Sequence, residues 1–172
     1  YGLGVANNGG GTDGQEYTFD DISVLQGENI LVVRSLDALT AYLTADGIAL
    51  FDHVLIGTSS ISQNGDDAIE LFKNDSVVET FGEIDTDGTG ESWEYMDSWA
   101  YKTTSGAAWP TDWSYGGVDC TDGSTTIFDS SCVYPLLESL STKAFSKAEL
   151  SIYPNPVNNG LVTIKSPLAG VK

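Results

Sequence analysis

NGDDAIELFKNDSVVETFGEIDTDGTGESWEY, residues 64–95, carries two short runs in which side chains alternate in character. From Asp67 to Phe72, Ile69 and Leu71 fall on one face and Ala68, Glu70 and Phe72 on the other. From Ser76 to Phe81, Val77, Glu79 and Phe81 oppose Val78 and Thr80. A period of two is the signature of a pleated strand, and Lys73-Asn74-Asp75 between the runs is turn chemistry. The stretch therefore predicts a β-hairpin followed by a Gly-rich acidic loop that closes on Trp93. The remaining segments are expected to supply strands for it to pack against.

Composition points the same way. The chain has 172 residues, 41% of them hydrophobic and 10% aromatic, which is far from the composition of a disordered chain. Its length allows one domain with a sizeable core and a small appendage. Nineteen glycines and few helical patterns favour β structure with many turns. Net charge is -18, from 25 acids against 7 bases. That field repels a phosphate backbone, so nucleic acid is not an expected partner. It suits a solvated surface on an exported protein and attracts divalent cations. No apolar run approaches the ~20 residues of a membrane span, so membrane insertion is not expected. The chain opens on Tyr1 inside what reads as a strand-to-loop passage, and a piece of a longer protein is expected.

Along the chain, Tyr1 to Gly14 reads as a loop. Tyr17 to Val24 and Asn29 to Arg34 read as strands, the first bent at Asp20-Asp21. Ser35 to Leu43 predicts the single short helix: Ser35 caps it, Asp37 lies in the first turn, and Leu36, Leu39 and Leu43 form one apolar stripe. Phe51 to Ile56 is a further strand. Its His53, the only histidine, has no nucleophile motif beside it and is assigned no role. Ser98 to Lys102 reads as the last core strand, and residues 136–148 as a linker with a helical turn near Leu136 to Leu140.

Cys120 and Cys132 stand twelve residues apart in a polar segment with too few Cys and His nearby for a metal site. A disulfide closing a short loop is expected. It implies an oxidising compartment and contributes about 3 kcal/mol by restricting the unfolded chain. Asp85, Asp87, Thr89 and Gly90 match half of an EF-hand loop, but the twelfth position is Met96 instead of a bidentate Glu. A calcium site of another kind, using Asp85, Asp87 and Glu91, stays open; no other cofactor is expected. Trp99, Trp109 and Trp113 lie in or beside irregular segments, where rings either form a ligand platform or cover the open end of a sandwich. The covering role carries more weight. No nucleophile–base motif, zinc motif or phosphate-binding loop is present, so no catalytic residue and no enzyme activity are expected.

Two resemblances extend this picture. Asn64, Gly65, Asp66, Asp67, Ala68, Ile69 and Leu71, then Val77, Val78, Phe81 and Gly82, then Asp87, Gly88 and Trp93 look like the pattern of the lamin tail domain family in its bacterial secreted branch. Asp13 to Phe19 and Ile30 to Val33 also fit, and the match covers roughly residues 1–135. The resemblance implies an all-β, immunoglobulin-like antiparallel β-sandwich that is non-catalytic and attached to exported proteins, notably secreted nucleases. In that pattern an apolar strand precedes the Asn/Gly-rich loop, and here it is expected to be missing or supplied by another chain. At the other end, Tyr153-Pro154-Asn155-Pro156, Gly160 and the run Leu161 to Ile164 look like the start of a type IX secretion sorting domain of the Bacteroidetes. Both prolines fix φ and bias their neighbours to extended backbone, so strands are expected on either side. The expected organisation is a sandwich over 1–135, a linker over 136–148 and the N-terminal part of a sorting domain over 149–172. The resemblance implies export across the outer membrane to the exterior or cell surface, with the type IX translocon and its shuttle components as partners. Other expected contacts are a surface polysaccharide, which makes a carbohydrate-binding module the alternative, or another domain of the parent protein.

Overall fold

The computed structural model describes residues 1–103 and 108–135, and the backbone of two further strands at 151–153 and 163–165. Contacts divide the chain into two compact units, Tyr1–Glu138 and Ser139–Lys172. The first is β-rich, with one helix. No described helix is long and apolar enough to cross a membrane.

The hairpin lies where the alternation predicts it. Strands β5 (Ala68–Lys73) and β6 (Ser76–Phe81) pair antiparallel, and Lys73 faces Ser76 across a two-residue turn. Asn74 and Asp75 in that turn both take positive φ, 51° and 60°. Asn and Asp tolerate that region, and its twist matches that of the strands. The register shifts between Leu71 and Phe72, a bulge in the ladder.

β5 is an interior strand. On its other side lies β1 (Gly2–Ala6), which also pairs with β2 (Tyr17–Thr18), so the sheet runs β2-β1-β5-β6. This corrects two expectations. Residues 1–14 are not all loop, and a strand does precede the Asn/Gly-rich loop. Gly2 and Gly4 alternate with Leu3 and Val5, so half of each period is blank and the pattern is hidden. The blanks have a cause: a Cβ on Gly4 would stand 2.4 Å from the Gly14 carbonyl oxygen. Only glycine lets the returning chain approach so closely. Because β5 is covered on both faces, Ala68, Glu70 and Phe72 are buried and Ile69 and Leu71 half-buried.

A second departure concerns strand direction. β3 (Ile30–Val33) and β4 (His53–Ile56) pair in parallel, Ile30 opposite His53 and Val33 opposite Ile56. Between them runs α1 (Leu36–Ile48). An all-antiparallel arrangement is therefore not what these residues form. Parallel neighbours need a long crossover, and a helix supplies it. The helix runs past the expected end at Leu43: the chain breaks once, at Thr44 (φ 64°, ψ 169°), and then resumes. Ser35 sits at the N-cap with extended backbone, but its hydroxyl makes no capping bond. β7 (Ala100–Lys102) and β8 (Trp113–Tyr115) form a third, antiparallel pair. Glu79 of β6 and Lys102 of β7 form an ion pair.

The core gathers on Phe81, at the end of β6. Around its ring stand those of Trp113 (4.8 Å between centroids), Tyr95 (5.3 Å), Trp93 (6.0 Å), Tyr115 (6.4 Å) and Trp109 (6.5 Å). Several meet it edge-on, the arrangement ring quadrupoles favour. In the second unit, β9 (Ser151–Tyr153) pairs antiparallel with β10 (Thr163–Lys165), Tyr153 opposite Thr163. The expected linker and helical turn, and Pro154, Asn155, Pro156 and Gly160, lie outside the described residues.

Candidate functional site

Asp66 and Asp67, the paired acids at the head of the hairpin, are where carboxylate chemistry is first sought. Both are buried, Asp67 at 1% exposure. Asp67 Oδ1 accepts the Asn8 amide at 2.8 Å and Oδ2 the Asn64 amide at 3.2 Å. Asp66 Oδ2 accepts the Thr89 hydroxyl at 2.9 Å, and its backbone carbonyl accepts the Gly88 amide at 2.9 Å. Gly88 has no alternative there, since a Cβ would lie 2.5 Å from that carbonyl oxygen. The pair thus binds the loop after β1 and the acidic loop after β6 to the start of β5. These are buried carboxyl groups held by N–H and O–H donors. Tyr95 shares the site: its hydroxyl donates to Gln63 at 3.0 Å. Burial, followed by the charges of Asp67 and Asp66, pushes that phenol well above its ordinary value, so it stays protonated.

The expected calcium ligands are not brought together. Asp85, Asp87 and Glu91 are all exposed. Their loop carries its own bonds: Asp87 accepts the Thr89 amide at 3.0 Å and Glu94 the Gly90 amide at 2.7 Å. The Thr89 amide and hydroxyl hold the Asp87 carboxyl below its usual range. Among the described residues the carboxylates that do converge, within 4.8 Å, are those of Asp97, Asp119 and Asp122, all exposed. Sequence reading missed them because they come from two separate loops.

The three tryptophans do not make one platform either. Trp109 and Trp113 turn into the Phe81 cluster. Trp99 belongs to a second group, its ring 5.9 Å from that of Tyr134. Its indole N–H donates to the Cys132 carbonyl at 2.9 Å. Cys120 and Cys132 are joined by a disulfide. The loop they close is fastened to α1, where the Tyr42 hydroxyl meets Ser124 at 2.9 Å and the Tyr42 carbonyl accepts the Ile127 amide at 2.9 Å. His53 Nε2 lies 3.1 Å from Glu28 Oε2, a structural hydrogen-bond contact.

Inside that loop, Asp129 accepts the amides and hydroxyls of Thr125 and Thr126. These bonds, the Thr125 hydroxyl first, lower its carboxyl from 3.8 to about 2. A carboxyl depressed by folding stabilises the fold above its unfolded value, and that contribution disappears as pH falls through the folded one. Acid titration of unfolding is therefore expected to show stability declining from about pH 4 to about pH 2, with a shallower decline in Asp129→Asn. Equal slopes in the two proteins contradict the assignment.

Between α1, β3, β5 and β7 lies a cavity of about 690 Å³, walled by Leu39 and Leu43, Ile30 and Leu31, Ile69 and Ala100. Trp99, Trp113 and Tyr134 close its far side, and among the described residues no charged one lines it. Tyr42, Gln63, Tyr95, Ser98 and Thr121 are common to this cavity and a neighbouring surface groove, and so form its mouth. Comparison of the chain with known protein families, with characterised proteins and with solved structures finds no match.

Proposed function

We propose that residues 1–135 are a non-catalytic interaction module of an exported protein, an immunoglobulin-like sandwich in the manner of the lamin tail domains. The β3–α1–β4 crossover is a departure from the purely antiparallel pattern. Residues 149–172 are the N-terminal part of a type IX sorting domain that directs the parent protein across the outer membrane. The observation that carries the non-catalytic part is the fate of Asp66 and Asp67. The acids most suggestive of chemistry are buried, and three of their four carboxyl oxygens hold two loops, with Asp66 Oδ1 unpartnered among the described residues. A carboxylate that serves as acid or base has to reach a substrate proton, and these two are enclosed by their own chain. The Cys120–Cys132 disulfide supports an oxidising destination. The Tyr153-Pro154-Asn155-Pro156 motif supports the route.

The test is made in cells. The parent gene product is expressed in its own bacterium with residues 153–156 replaced by alanine. The variant is expected to accumulate in the periplasm while the unaltered protein appears outside the cell. Undiminished export of the variant overturns the sorting assignment.

A further inference from the structure

The chain carries 25 acids, yet none of those among the described residues lines the cavity of about 690 Å³ described above. Its size falls within the range of pockets that hold small molecules. Its walls are aliphatic on the side of α1 and β3 and aromatic on the side of Trp99, Trp113 and Tyr134. Hydrogen-bonding groups cluster at the mouth, and all are neutral: Gln63, Ser98, Thr121 and the phenols of Tyr42 and Tyr95. The Tyr95 phenol stays neutral because burial and two nearby carboxylates oppose its ionisation. The indole Nε1 of Trp113 is buried without a hydrogen-bond partner among the described residues, as are those of Trp93 and Trp109 outside the cavity lining. Indole N–H is a donor only, and a buried donor without an acceptor is costly.

From these features we infer that the cavity is a binding site for a small, uncharged, ring-bearing apolar molecule with at least one hydrogen-bond acceptor. The ring portion lies against the tryptophan and tyrosine faces, and the acceptor meets the neutral groups at the mouth. Charge is excluded on physical grounds. An anion approaches a chain of net charge -18, and an ion of either sign loses its hydration with no opposite charge in the wall to replace it. A neutral ring compound loses little on entry and removes apolar surface from water.

The inference goes beyond the export reading and stands apart from it. Binding is measured on the purified chain and export in cells, so failure of either leaves the other intact. The probe is 6-propionyl-2-(dimethylamino)naphthalene, a neutral ring compound with a carbonyl acceptor that fluoresces more strongly and further to the blue in apolar surroundings. Titration into the full chain is expected to give a saturable signal with one site per chain. In Ala100→Phe, which places a ring in the cavity, affinity is expected to fall by about tenfold or more. Melting of that variant establishes that it is folded. A second measurement does not depend on any substitution: indole NMR resonances of Trp99 and Trp113 are expected to shift on titration while that of Trp109, outside the cavity lining, stays in place. A signal that does not saturate, equal affinity in a folded Ala100→Phe, or unmoved resonances of Trp99 and Trp113 overturn the inference.

Discussion

Replacing Phe81 with alanine is expected to lower the unfolding free energy by about 3–5 kcal/mol, the cost of emptying a large aromatic site in a packed interior. Phe81 is buried, and five aromatic rings from β8 and the loops converge on it. Those rings are fixed on β8 and on separate loops and do not easily close over the vacancy. Their indole and phenol groups also limit how far they rotate inward. The loss is large against the roughly 5–15 kcal/mol typical of a single domain. Urea titration followed by tryptophan fluorescence measures it, with Val78→Ala as reference. Val78 is 51% exposed on the same strand, and its truncation is expected to cost less than about 1 kcal/mol. Equal, small losses in both variants contradict a core organised on Phe81.

The second large effect is expected at Asp67. Asp67→Ala leaves the amides of Asn8 and Asn64 without their acceptor, in a part-buried site. Each bond to a charged acceptor is worth about 1.5–3 kcal/mol, so a total loss of about 3–5 kcal/mol is expected. Asp85→Ala is the matched comparison. Asp85 is exposed, and its removal is expected to change stability by about 0.5 kcal/mol or less. Denaturant unfolding distinguishes the two. A near-neutral Asp67→Ala contradicts the structural role of the acid pair.

Some of this was legible in the sequence. The hairpin β5–β6 announced itself because both runs alternate and the turn between them is Asn-Asp. The disulfide followed from two isolated cysteines in a polar segment. β1 was not legible, because glycine at alternate positions removes the very signal by which a strand is read. Nor was the parallel pairing of β3 and β4: a four-residue apolar strand looks alike whichever way its neighbour runs. Thr44 hid the true extent of α1 by breaking it at one residue.

The site was harder to read. Acids in a segment rich in Gly and Asn are usually solvated, and the burial of Asp66 and Asp67 appears only once two distant loops fold over them. Trp109 and Trp113 were visible as candidates, but not that Phe81 would draw them inward. The cavity had no signal of its own. Its walls come from α1, β3, β5, β7, β8 and the disulfide loop, brought together from residues 29 to 134.

Amide hydrogen exchange, read residue by residue on the intact protein, tests most directly the claim that Asp66 and Asp67 bind the loops to the sheet. The amides of Asn8, Gly88 and Tyr95, which donate to Asp67, to the Asp66 carbonyl and to the Gly65 carbonyl, are expected to exchange as slowly as those of β5. In Asp67→Ala under conditions where it is folded, Asn8 is expected to lose its protection while Tyr95 keeps it. Exchange of Asn8 and Gly88 in the unaltered protein at the rate of free loop amides contradicts the account.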